Sequence, residues 1–192
     1  MKFSFLLPLA ALLLVLGGTA RAERADSQKP MQVEADRMQH DDPRQLTVLT
    51  GHVQAIKGTL VMRAARMEVQ QDAQGQQIAH FWAEPGQRVF FRQKREGLDE
   101  FIEGESVTAV YDSQQDLMTM TDRAEVRILR AGRLADQMFG QRIVYNNTTE
   151  VLHVDGKLQE GPAGGRPRVR AVLAPKAEAS APGSPPLELR NS

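Results

Sequence analysis

The chain has 192 residues, of which 24 are basic and 24 acidic, and it contains no cysteine. Balanced charge lacks the basic surplus of a nucleic-acid surface, and the missing cysteines remove disulfides, thiolate metal sites and cysteine nucleophiles together. An export leader at the start and a proline-rich tail at the end leave about 150 residues to fold, the size of one domain.

The leader comes first along the chain. Met1-Lys2 is basic, Phe3 to Leu16 is apolar but interrupted by Pro8, and Ala20-Arg21-Ala22 fits the small-x-small cleavage rule. This pattern predicts a secretory signal peptide over residues 1–22, because the apolar run is too short to span a bilayer. Its removal takes Lys2 and Arg21 but no acid, so the mature chain is slightly acidic. The expectation is a soluble periplasmic protein with one domain over residues 23–174, held by its core and sheet alone.

From Leu46 onward the apolar residues mostly alternate. Leu46 and Val48 flank Thr47, Val53 and Ala55 flank Gln54, and Val107, Ala109 and Tyr111 run past Thr108 and Val110. Ala124, Val126 and Ile128 keep the same period, as do Val169, Ala171 and Leu173. Period two with frequent turn formers, such as Asp41-Asp42-Pro43 and Glu84-Pro85-Gly86, predicts an all-β chain. Residues 60–71 resist this reading, since Leu60, Ala64 and Met67 keep helical spacing among good helix formers. An internal repeat decides for strand. Strand starts recur at Leu46, Ile78, Leu117 and Val151, with turns expected at Gly51, Gly86, Asp122 and Gly156. A unit of about 35 residues cannot bury its own apolar face and must stack on its copies.

The repeat also contains a bend. Apolar parity is even at Leu60, Met62 and Ala64 but odd at Met67 and Val69, and it switches again between Met138 and Ile143. Such a switch is the mark of a bulge, which lets a strand turn a corner between two sheets. The expected architecture is an open two-sheet roll of repeated hairpins around a long apolar slot. The last segment, residues 175–192, carries Pro175, Pro182, Pro185 and Pro186 among small residues and reads as a disordered tail.

The motifs then resemble one family. Lys29-Pro30-Met31-Gln32-Val33-Glu34-Ala35-Asp36, Leu49-Thr50-Gly51-His52-Val53 and Ile102-Glu103-Gly104-Glu105, behind a signal peptide, resemble the OstA-like (LptA) periplasmic lipopolysaccharide transport proteins. The resemblance runs from about Lys29 to Pro175, and the proline-rich tail departs from it. It implies a β-jellyroll open at both ends that carries lipopolysaccharide by the acyl chains of lipid A. It also implies head-to-tail stacking between an LptC-like inner-membrane protein and an LptD-like outer-membrane protein. Met31 takes the place of the apolar residue after the opening proline, and Phe90 and Tyr111 match aromatic positions on central strands.

The sequence carries no recognisable catalytic constellation. His40, His52, His80 and His153 are scattered, so no metal site is expected, and His40-Asp41-Asp42 before Pro43 reads as a solvated turn. No serine sits in a Gly-x-Ser-x-Gly elbow, and Gly161 to Gly165 lacks the Lys-Ser/Thr of a phosphate loop. Alternation places Glu103 and Glu105 on one exposed face, a better account of them than a glycosidase pair. No enzyme activity and no cofactor are expected.

What remains is apolar surface. The strand pattern and the resemblance single out Met31, Val33, Val48, Met62, Phe90, Val107, Tyr111 and Val126 as candidate lipid contacts. Flexible methionine thioethers suit irregular guests such as acyl chains. Met31, Val33, Val169, Ala171 and Leu173 are candidate edge-strand contacts to a neighbouring domain, including a second copy of this chain. Arg37, Lys57, Arg92, Lys94 and Arg95 are either attractors of phosphorylated head groups or ordinary solvated charges. The competing function is a structural module whose edges pair and whose interior is a sealed core without lipid.

Overall fold

In the computed structural model, residues 29–95, 99–156 and 168–175 are described. The expected signal peptide and all but the first residue of the proline-rich tail lie outside them. The described chain is all β, with twelve strands: β1 (Gln32–Glu34), β2 (Arg37–Asp41), β3 (Leu46–Lys57), β4 (Leu60–Gln71), β5 (Gln77–Trp82), β6 (Val89–Lys94), β7 (Glu100–Ser106), β8 (Thr108–Asp112), β9 (Leu117–Arg130), β10 (Arg133–Asn146), β11 (Val151–Asp155) and β12 (Arg170–Leu173). The helix-like stretch is strand β4, and the repeat starts fall at Leu46, Gln77, Leu117 and Val151. Tertiary pairing overrides local helix propensity there.

Every pairing is antiparallel, and the long strands take part in two layers. One layer runs β1, the end of β3, the start of β4, β6, β7, the end of β9, the start of β10 and β12. The other runs β2, the start of β3, the end of β4, β5, β8, the start of β9, the end of β10 and β11. The sheet is therefore folded over on itself like a closed book, with a crease along one side and hairpin turns along the other. β1, β2, β11 and β12 each pair with one strand only, among the described residues, and form the two ends of the roll.

The crease explains the parity switch. Thr50 pairs with Arg66 and Val53 with Ala64, so β3 spends one residue more than β4 in turning the corner. The same thing happens between Thr121–Ala124 of β9 and Gly140–Arg142 of β10. At both places the extra residue is housed by two successive left-handed residues, Gly51 (φ 77°) with His52 (φ 43°), and Asp122 (φ 64°) with Arg123 (φ 51°). Two corrections follow. Gly51 and Asp122 are corners inside long strands, not turns between strands. The bulge does exist, but its extra residue sits on the strand opposite the one whose parity switches. The corners are tied to one another by backbone hydrogen bonds, Asp36 N–H to Gly51 O at 2.9 Å and Val107 N–H to Asp122 O at 2.9 Å.

The two inner faces meet in a continuous apolar core. Leu49, Met67, Phe81, Tyr111, Met118, Met120 and Ile143 come from one layer, and Val53, Leu60, Met62, Phe91, Ile102 and Val126 from the other. Phe91 and Tyr145 stack across the gap with centroids 6.5 Å apart. Gly104 permits this closeness, because a Cβ there would lie 2.0 Å from Phe91 and 2.6 Å from the Met120 sulfur. The space between Met62, Phe81, Phe91, Gly104, Met118 and Met120 leaves no room for a water molecule. At this point the long slot expected from the sequence is filled by its own side chains.

Candidate functional site

Period two decides which face each candidate presents. Met62, Tyr111 and Val126 lie fully inside, and Met31, just before β1, and Val33 on it are half-buried against the core. Val48 does not face the interior, because the inward set of β3 is Leu49, Val53 and Ala55. Phe90 is likewise on the outer face, where the Arg63 guanidinium lies 5.6 Å from its ring centroid, and its neighbour Phe91 points inward. Val107 sits at the crease between β7 and β8 rather than in the core. The parity of β3 and β6 was misread because each carries apolar residues on both faces. Leu49, Phe91, Met118 and Met120 are interior residues that the candidate set missed, and strict alternation from Val89 and from Val53 would have found two of them.

The edge candidates occupy opposite ends of the same layer. β1 pairs Val33 with Ala55, and β12 pairs Ala171 with Met138 and Leu173 with Asp136. Val169, Val172 and Leu173 are exposed, an apolar edge of the kind that invites another strand.

The outer face of the first layer is a charge lattice. Glu105 and Glu125 stand directly opposite each other on β7 and β9, an arrangement that repels when unscreened. Arg88 and Arg127 each bond both carboxylates, Arg127 at 3.1 and 2.9 Å, so the pair is neutralised twice. Burial alone raises the Glu125 pKa, but hydrogen bonds from Arg88 and Gln137 outweigh it and hold the carboxyl below its ordinary value. Arg92 pairs with Glu103 in the same lattice. Glu103 and Glu105 thus lie on the outer face, as alternation requires, each engaged by arginine.

The side opposite the crease is built differently. Here the hairpin turns of the two layers face each other, and the inward side chains at the strand ends are polar. Lys57, buried at the end of β3, donates to the Tyr111 hydroxyl of the other layer at 3.1 Å, and Tyr111 donates to Asp116 at 2.8 Å. Asn147 adds a second hydrogen bond to Asp116 at 2.9 Å. Farther along, Arg95 after β6 reaches Glu150 of the other layer and Glu100 of its own, both at 2.6 Å. Glu100 is shared with Arg130 at 2.9 Å, and Arg130 also holds Asp136 at 2.6 Å. Burial lowers the Arg95 pKa, yet the hydrogen bond and charge of Glu150 outweigh it and raise the value. Tyr145, just beneath, is pushed up to about 12 by burial and by the Glu150 charge. A row of charges therefore caps an apolar interior. Arg92 and Arg95 are both ion-paired, whereas only Arg95 and Lys57 of the basic candidates stand at this mouth.

A second opening lies at the crease, where β5 and β6 are joined by residues 83–88 and leave Ala64 and Ala65 without a paired strand on that side. It is a cleft of about 630 Å³, floored by Val53, Ala64, Ala65 and Ala83 and rimmed by Asp36, His52, Arg63, Glu84 and Arg88. Among the described residues no group of three or more acids and histidines is placed to hold a metal ion.

The folded antiparallel sheet has known counterparts. Residues 32–151 match the family model described as LptA/(LptD N-terminal domain) LPS transport protein. The chain belongs to that family. Among curated proteins, it is 25% identical over 181 residues to the lipopolysaccharide export system protein LptH of Pseudomonas aeruginosa, covering 93% of this chain and 99% of that one. Among solved structures, it superposes with a TM-score of 0.65 on the crystal structure of LptH, titled the LptA-homologous periplasmic component of the lipopolysaccharide transport device of the same organism. That match covers 78% of this chain and 99% of the other at 22% identity, which supports the shared fold.

Proposed function

We propose that this protein is a non-catalytic periplasmic carrier of lipopolysaccharide, holding the acyl chains of lipid A between its two layers while sugars and phosphates stay outside. Its proposed neighbours are an LptC-like protein at the inner membrane and an LptD-like protein at the outer membrane, met through the edge strands at the two ends of the roll, with self-stacking by the same edges. The observation that carries this reading is the inner surface itself. It is apolar from β3 to β10, rich in methionine, and bounded at the mouth by charge. Each acyl CH₂ moved from water onto such a surface gains about 0.8 kcal/mol, so a few chains suffice without specific polar contacts.

The closed interior gives the second reading its support, since a sealed core is what an edge-pairing structural module would have. Mass spectrometry of lipid copurified from the periplasm separates the two. The carrier reading expects bound lipopolysaccharide in the native protein and its loss in Val126→Asp and Met62→Asp variants that keep their β signal in circular dichroism. Undiminished lipid in both variants places the ligand elsewhere, and no lipid in the native protein leaves the structural module.

A further inference from the structure

The polar row at the mouth closes a book whose interior must open to receive anything. Side-chain links cross from layer to layer along it, among them Lys57 to Tyr111, Arg95 to Glu150 and Arg95 to Tyr145. The cluster around Arg95 has an unusual form. The Glu100 carboxylate is gripped between two guanidiniums, one oxygen by Arg95 at 2.6 Å and the other by Arg130 at 2.9 Å. Each arginine gives Glu100 one nitrogen and a second carboxylate the other, Glu150 for Arg95 and Asp136 for Arg130, and two guanidiniums converging on one anion are an arrangement that also suits a phosphate group. Here a carboxylate of the protein holds the place.

A second observation lies beside it. Gln93 Oε1, two residues before Arg95 on the inward face of β6, is buried without a hydrogen-bond partner, and so is Asn147 Oδ1 in the turn that carries Glu150. A buried acceptor left unpaired costs about 1–3 kcal/mol, so native folds seldom keep one. Hydroxyl donors would satisfy both. Directly inside stands the Phe91–Tyr145 stack, the first apolar surface that a chain entering here would meet.

We propose that the Arg95–Arg130 pair is a masked phosphate site, at which the phosphate of a hydroxyl-bearing amphiphile replaces Glu100 and Glu150 and so frees the two layers to part. This rests on the carrier reading and names the head-group chemistry that its interior admits. Displacing the carboxylates is unfavourable by itself, because they already neutralise the arginines. Acyl burial on the parted layers supplies the difference. A phosphate without a chain leaves the mouth shut.

The test uses the full mature protein with three probes: lipopolysaccharide, the same lipopolysaccharide dephosphorylated by phosphatase, and inorganic phosphate. Affinity is read by titration and opening by amide exchange of the turn around residues 147–150. The native protein should prefer the phosphorylated lipid by about tenfold, the equivalent of one charge-assisted hydrogen bond. Arg95→Gln should abolish the preference. Arg95→Lys, which keeps the charge but not the fork, should retain part of it, and it serves if the glutamine variant folds poorly. Glu150→Gln should speed exchange at the turn and raise affinity for both lipids. Equal affinity of the native protein for the two lipids, or an unchanged preference in both Arg95 variants, overturns the proposal and leaves the carrier reading intact. Faster exchange with inorganic phosphate alone overturns the assignment to a lipid head group. Binding of neither lipid removes the carrier reading and this proposal together.

Discussion

The two long sides of the folded sheet are held by opposite means. At the crease the strands themselves turn the corner, and backbone hydrogen bonds such as Asp36 to Gly51 and Val107 to Asp122 tie one corner to the next. At the mouth no strand among the described residues passes from one layer to the other, and side-chain links such as Lys57 to Tyr111 and Arg95 to Glu150 span the gap. A crease of covalent chain and backbone ladder cannot open without unfolding. A mouth of side-chain pairs opens whenever those pairs find other partners. The proposed opening would turn on the crease as on a hinge.

Changes at the crease should cost most. Gly51 has φ 77°, and a Cβ there would lie 2.2 Å from the Asp36 carboxylate. Gly51→Val adds a β-branched side chain to a left-handed residue and displaces the corner of β1, together about 3 kcal/mol. Urea unfolding should show that loss with the slope unchanged. A loss below about 1 kcal/mol would mean that the crease flexes as freely as the mouth.

The next effect is at the mouth and depends on pH. The Tyr145 phenol holds its proton to about 12 in the folded protein against 10.0 when free. The unfolded chain therefore loses this proton first. The stability that a raised pKa confers is complete below pH 10 and drains away as pH rises toward 12, by about 2 kcal/mol in all. Tyr145→Phe should lack that alkaline decline when native and variant unfolding are compared between pH 9 and 12. Parallel curves would show that the phenol is solvated and the mouth already ajar.

Glu150→Gln comes third. It removes the charge on one inter-layer link but leaves Arg95 with Glu100, so the cost should be about 1 kcal/mol. Circular dichroism should not change. A cost equal to that of Gly51→Val would make the mouth as structural as the crease.

These contrasts were partly legible in the sequence. Alternation and the repeat give the strands, and the parity switches at residues 64–67 and 138–143 mark where the sheet folds. The exchange of Phe90 for Phe91, and of Val48 for Leu49, shows where the reading fails. Both neighbours are apolar in each pair, and only the register with β4 and β7 decides which one points inward. The mouth was the least legible part. Arg95 and Glu100 are brought to Arg130 by the pairing of β7 with β9, and they meet Glu150 because hairpin turns of two layers face each other. Nothing local in the sequence distinguishes them from the arginines and glutamates of the outer lattice.

The smallest effect tests whether the crease is strained. His52 is the second left-handed residue of the β3 corner, with φ 43°, and its ring meets Asp36 at 2.8 Å with 92% of the side chain exposed. An exposed pair of this kind contributes little, and an L-residue in the left-handed region costs about 1–2 kcal/mol that glycine does not incur. Against this, glycine gives the unfolded chain more freedom, which costs about 0.4–1 kcal/mol. The balance for His52→Gly is a gain of about 0.5 kcal/mol, visible as a small rise in urea midpoint. His52→Ala keeps the backbone cost and loses the ion pair, so its midpoint should fall slightly. If alanine proved the more stable of the two, the His52 backbone would carry no strain, and the crease would owe its geometry to Gly51 alone.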